Sequence, residues 1–322
     1  MLSRHAESFF WLARNVERAE TVARVLDVTY TRSMDRFQHD VWANRAWRTA
    51  LAIGTLAEPA NVDTCDAESA FDRCIFDATN LSSIASTVSI ARTNAINVRS
   101  ELSTETWENI NELYLDVRAQ TIEAVTREGP ARFLRRVRDR CQAIEGVTDA
   151  TLLHVDGWNF LQLGRFAERG YLALRMLATI ESLDDPWPEW QALLEMASAS
   201  MPFARASSHL PASREVVDFV LFDPTFPRSV GFCANEVDAA LHRISETPQG
   251  RGYTNQAEKL AGRLCAEFNF ADVADVLHEG LHPFVRRIRH EIEDVMGAIQ
   301  GVYFPRIPVP NAPLLPVEVV SA

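Results

Sequence analysis

The chain has 322 residues, 47% of them apolar, and a formal net charge of −12. This is enough apolar material for one large domain or two modest ones. The acidity argues against a nucleic-acid or anionic-membrane role, since each needs a positive footprint.

The dominant periodicity is helical from end to end. Ser3 reads as the cap of a helix running to about Tyr30, followed by helical stretches near 41–54, 67–78, 82–100 and 104–127. Gly129-Pro130 breaks the pattern, which resumes over 131–154 and 157–183 and stops at Asp184-Asp185-Pro186. Helices are then expected near 187–201, 212–222 (with Ser213 as cap), 227–246, 252–268 and 272–303. No Asn-Gly or Asp-Gly turn joins alternating runs, so the expected architecture is an all-α bundle with short connections. It spans 1–304, with an extended or disordered proline-rich tail at 305–322. The opening interrupts its apolar residues with Arg4, His5, Glu7 and Arg14, unlike a signal peptide. No uncharged run reaches membrane-spanning length, and a cytoplasmic chain is the expectation. Five scattered cysteines contain no Cys-x-x-Cys pair, so neither a disulfide framework nor a thiolate zinc site is indicated.

One helix occurs twice. Phe9, Leu12, Arg14, Glu17, Arg18, Arg24 and Leu26 reappear at the same intervals as Phe160, Leu163, Arg165, Glu168, Arg169, Arg175 and Leu177. Self-similarity reports architecture, so a duplication with halves of about 1–130 and 131–304 is expected. The first copy carries an apolar stripe with Glu17, Glu20 and Arg24 along its border. The second is apolar nearly all round, because Leu161, Leu172 and Met176 fill the side that is polar in the first. It should be buried, and its charges must then be paired. Pseudo-symmetry suggests Arg14 and Glu17 facing Arg165 and Glu168. The arrangement reads either as a structural ion-pair network, which physics favours, or as a polar cavity. In a cavity, Arg14, Arg18, Arg165 and Arg169 would hold a carboxylate or phosphate, while Glu17 or Glu168 binds an amine or serves as general base.

A second cluster of polar residues runs through Asn80, Ser82, Ser83, Arg92, Asn94, Trp107, Asn109 and Asn111. Ser82 or Asn80 and then Ser103 read as helix caps, while the amides form interhelical hydrogen bonds or line a pocket for a peptide or amino acid. Asp223 to Ser229 reads as a turn and a helix start. The arginine run at 132, 135, 136, 138 and 140 reads as a solvated face or a dock for an acidic partner. His278-Glu279-Gly280-Leu281-His282 matches the H-E-x-x-H zinc pattern. Gly280 weakens the helix, Pro283 follows at once, and no third histidine stands at the required spacing, so zinc chemistry is disfavoured. No metal or cofactor is expected.

The opening Met1-Leu2-Ser3-Arg4-His5-Ala6-Glu7-Ser8-Phe9-Phe10-Trp11-Leu12-Ala13-Arg14-Asn15-Val16-Glu17-Arg18-Ala19-Glu20 resembles the start of the bacterial alpha-E proteins. So do Ser82-Ser83-Ile84, Arg92-x-Asn94, Glu105-x-Trp107-x-x-x-Asn111, Phe160-x-x-Leu163-Gly164-Arg165-x-x-Glu168-Arg169, Pro227-Arg228-Ser229 and Gly280-Leu281-His282, from Met1 to about Phe304. One departure is Gly170-Tyr171, where the family's second copy has a small residue and then an acid. The resemblance implies an all-helical protein that travels with a circularly permuted ATP-grasp-type ligase and a transglutaminase-like cysteine peptidase. The expected role is that of a helical partner of the ligase in ATP-dependent amide or peptide bond formation. It would bind the ligase or a carboxylate-bearing substrate through the Arg/Glu constellation. A stand-alone amide-bond enzyme and a non-catalytic scaffold are the alternatives.

Overall fold

The computed structural model describes residues 1–35, 40–57, 66–180, 182–184, 187–207, 212–250 and 252–304. The expected tail at 305–322 lies outside them. Every regular element among the described residues is helical. The first half runs α1 (Ser3–Asp35), α2 (Asp40–Thr55), α3 (Ala67–Phe71) continuing into a π-helical turn (Asp72–Phe76), α4 (Ile84–Asn97), α5 (Thr104–Arg118), α6 (Ile122–Glu128) and α7 (Pro130–Thr151). The second runs α8 (Asp156–Leu177), α9 (Trp187–Met196), α10 (Ser200–Ala206), α11 (Ser213–Phe222), α12 (Val230–Ile244), α13 (Gln256–Phe270), α14 (Val273–Glu279) and α15 (Leu281–Tyr303).

Three expected helices are each divided in two. The stretch from 104 onward stops at Arg118 and restarts when Thr121 caps α6 by accepting from the Ala124 amide. The one from 187 breaks before α10, where Ser198 has φ 55°. The last breaks at Gly280, whose φ of 94° is a conformation that only glycine adopts cheaply. Gly129, at φ 93°, does the same between α6 and α7. Caps differ locally as well. Ser103 caps α5 as expected, but Ser83, rather than Ser82 or Asn80, caps α4. At α11 the residue before the helix is Ala212, whose amide donates to Glu215, and Ser213 lies inside.

Both halves pack alike. α1 lies against α4 and α7, with α5 closing on α4 and α7. α8 lies against α12 and α15, with α13 closing on α12 and α15. The two sets meet where α1 packs along α8. The contact is close because Gly164 has no side chain: a Cβ there would stand 2.2 Å from the Phe10 carbonyl oxygen. α1 buries Phe9, Phe10, Leu12, Val16, Ala19, Ala23 and Leu26, and α8 is buried on nearly every side, as its composition predicts. Arg175 of α8 reaches the end of α2 and donates to the Ala52 carbonyl at 2.8 Å and to the Ala57 carbonyl, a favourable place for a cation.

Candidate functional site

Along the α1–α8 contact each Glu-Arg dipeptide grips the other. Arg169 donates from Nε and Nη2 to the two oxygens of Glu17, at 2.9 and 2.6 Å. Reciprocally, Arg18 donates from Nε to Glu168 Oε1 at 2.5 Å. Both glutamates have no solvent exposure. The two-point Arg169–Glu17 contact is strong and directional, and an unpaired carboxylate at this depth would cost roughly several kcal/mol.

Each glutamate also takes a second arginine, and here the halves differ. Arg14 donates from Nε to Glu168 Oε2 at 2.8 Å, with Nη2 at 2.6 Å. Arg165, its counterpart, does not meet Glu17. It turns to α7, where Asp149 stands at 3.1 Å and Glu145 at 3.8 Å. The place beside Glu17 is taken by Arg228, which bridges Glu17 at 3.0 Å and Glu20 at 3.2 Å. Glu20 is buried between Arg228, Gln142 and Arg24. The pseudo-symmetric pairing expected from the sequence holds for Arg14 with Glu168, which also takes Arg18, and is corrected for Glu17, whose partners are Arg169 and Arg228 while Arg165 serves α7.

The loop entering α4 and the loop entering α12 supply the last contacts, and they are alike. Asp77 Oδ1 accepts from the Thr79 amide and hydroxyl at 2.8 and 2.7 Å, and Asp223 Oδ1 accepts from those of Thr225 at the same distances. Ser83 then caps α4 and Ser229 caps α12. These turns bring Ser82 to Arg18 Nη1 at 3.3 Å, and Arg228 and the Pro227 carbonyl to Glu17 and Arg169. Sequence reading missed Arg228 and Glu145. The signal for Arg228 was available: Asp-x-Thr-x-x-x-Ser occurs at 77–83 and again at 223–229.

The electrostatics follow from this packing. Burial opposes ionisation of Glu17, but Arg169 and Arg228 overcome it and hold the carboxyl well below the usual range. Glu168 is lowered in the same way, with Arg18 and Arg14 outweighing burial. Glu145 moves the other way, raised by burial and by the Glu17 carboxylate.

The other sequence candidates fall outside the joint. Ser83 is a helix cap, and the Asn94 amide bonds back to the Ile90 carbonyl of its own helix. Arg92 and Trp107 come together on the outer face of α4 and α5, with Asn111. The α7 arginine run is largely engaged within the molecule, Arg136 with Asp116, Arg138 with Asp27 and Arg140 with Glu112. The H-E-x-x-H residues are split between α14 and α15, and Glu279 is held by Arg287 at 2.9 Å. No helix among the described residues is long and apolar enough to cross a membrane.

Comparison with known proteins agrees with this picture. No solved structure matches. Uncharacterized proteins of Mycobacterium tuberculosis and Mycobacterium bovis are 24% identical over 329 residues, covering 90% of this chain. The chain spans only 36% of their length. The Alpha-E family, described as a predicted alpha-helical domain with a conserved ER motif, matches residues 1–304. The only Glu-Arg dipeptides of the sequence, Glu17-Arg18 and Glu168-Arg169, are the two that grip each other, and the chain belongs to the Alpha-E family.

Proposed function

We propose that this chain is a non-catalytic helical partner of an ATP-grasp-type ligase in ATP-dependent amide or peptide bond formation. In this reading the arginine–glutamate cluster is the joint that fixes the two halves, and the ligase meets the outer surface. One observation carries the non-catalytic role: Glu17 and Glu168 have no exposure, and their oxygens are engaged by arginines. A general base needs a free lone pair within reach of a substrate proton and a pKa near the working pH. Both carboxyls are instead held low and enclosed. The ligase itself rests on the resemblance to alpha-E proteins. In the curated relatives the matching segment is joined to much more chain than it contains, which fits a module that works beside other domains. The 151-residue offset between the Glu-Arg helices and the second offset between the capping loops support a duplicated origin of the halves.

Co-expression with the ATP-grasp-type ligase of the same genome tests the reading. The expected result is a complex of fixed stoichiometry on size exclusion with light scattering, and no amide turnover by the purified chain alone. Separate elution at micromolar concentration refutes the partnership. Turnover by the chain alone that vanishes in Glu168→Gln refutes the non-catalytic role.

A further inference from the structure

α5 carries Trp107, Asn111, Tyr114 and Arg118 at intervals of four, three and four residues, which puts them on one helical stripe. Arginines are laid over its rings. Arg92 lies 4.5 Å from the Tyr114 centroid and 5.7 Å from that of Trp107, with Nε donating to Asn111. Arg99 lies 5.3 Å from Trp107, and Arg118 lies 5.9 Å from Tyr114 and donates to its hydroxyl.

Among the described residues none of these three arginines meets a carboxylate; their acceptors are Asn111, the Leu102 carbonyl and Tyr114. This is unusual in a chain of net charge −12. Three neighbouring acids are engaged elsewhere: Glu101 with His5, Glu112 with Arg140 and Asp116 with Arg136. Beside the stripe lies a mainly apolar cleft of about 410 Å³, lined by Leu81, Ala85, Val88, Ile90 and Val117. Leu81 is 68% exposed and Leu115 52%.

We propose that this α4–α5 face is where the partner docks, and that it takes an acidic segment bearing leucine-type side chains. The apolar side chains would fill the cleft while carboxylates pair with Arg92, Arg99 and Arg118. Arginines stacked on aromatic rings are already held in place, so less freedom is lost on pairing. Trp, Tyr and Arg are also the residues that dominate binding energy at protein interfaces. A nucleic acid would use arginine and aromatic groups too, but the net charge opposes its phosphates. In naming the ligase as the source of the segment, the proposal rests on the function proposed above.

The test measures ligase affinity for the full chain and for two variants, R92E/R118E and L81D, each first shown to keep the parent melting temperature. Weakening of about tenfold or more in both variants, the scale of an interface hot spot, supports the proposal. Unchanged affinity in both overturns it while leaving the ligase partnership intact. If the ligase does not bind the parent chain, the partnership fails and the face is judged with a short amphipathic leucine–glutamate peptide. Binding of that peptide that is lost in R92E/R118E, and absent for the lysine counterpart, supports the face. No binding at about 1 mM overturns it, as does tighter binding of a single-stranded oligonucleotide that R92E/R118E abolishes.

Discussion

Replacing Glu168 by Gln removes one charge and almost no volume. Glu168 is fully buried and holds Arg14 through Nε and Nη2 and Arg18 through Nε. The variant leaves two guanidiniums, themselves mostly buried, without their counter-charge. Breaking a buried pair by removing one partner costs about 3–5 kcal/mol. At an unfolding entropy of about 2.1 cal/mol/K per residue, a folded body of about 300 residues loses roughly 1 °C per 0.6 kcal/mol. The expected fall in melting temperature is therefore about 5–8 °C, read by circular dichroism. The pH dependence has a fixed sign. The folded-state pKa of Glu168 is lowered, so its stabilisation is complete above the unfolded value and is lost as pH falls through the folded one. The gap between parent and variant should hold steady from pH 7 to about 5 and close only in stronger acid. A variant that melts within about 1 °C of the parent, below the scale of any buried ion pair, would refute the account of the joint. Replacing Glu168, Arg14 and Arg18 together by methionine should recover most of the loss, because apolar replacement of a whole buried network is close to neutral.

Gly164→Ala places a methyl group 2.2 Å from the Phe10 carbonyl oxygen, against backbone that cannot step aside. Overpacking of about 3 kcal/mol outweighs the roughly 1 kcal/mol gain in helix propensity, so the urea midpoint should fall; an unchanged midpoint would show that the helices are not in contact there. Ser83→Ala and Ser229→Ala each remove a cap that accepts a backbone amide, at 3.2 and 3.1 Å. Each should cost about 1 kcal/mol, with similar losses in chemical denaturation because the loops are alike. Arg140→Ala breaks an ion pair between half-exposed side chains, 38% and 55% exposed. Its effect on stability should stay below about 1 kcal/mol, and a larger one would mean that α7 is tied down by charge.

The repeat made the central helices readable from the sequence alone. An apolar girdle on the second copy announced that α8 is buried, and Arg165, Glu168 and Arg175 are indeed buried with it. What the sequence could not supply was the direction of each arginine. Arg165 and Arg169 are four residues apart, and helical geometry puts both near Glu17. Arg165 turns away because α7 offers Glu145 and Asp149 there. At the same 151-residue offset, α15 carries Met296 and Gln300, which gives Arg14 no competing carboxylate at those two positions. Arg228 was hidden for a different reason. Its loop reads as an ordinary turn until it is aligned with the loop at 77–83. The departure at Tyr171 has a related meaning, since Glu20, at the equivalent position, is one of the two acids that Arg228 bridges. At the position equivalent to Arg228 in the other loop stands Ser82, which contacts Arg18.

The crosswise grip also bears on how the chain is made. Glu17 meets its arginine 152 residues further on, and Arg14 meets its glutamate 154 residues further on. During synthesis α1 leaves the ribosome long before α8 exists, so its apolar stripe and acidic border wait for a helix still being translated. Until then the nascent first half has an open, sticky flank, the kind of surface that chaperones cover. Glu17 and Glu168 meet their first arginines across the seam only when α8 comes beside α1, and Arg228, later still in the chain, completes the set on Glu17 and Glu20.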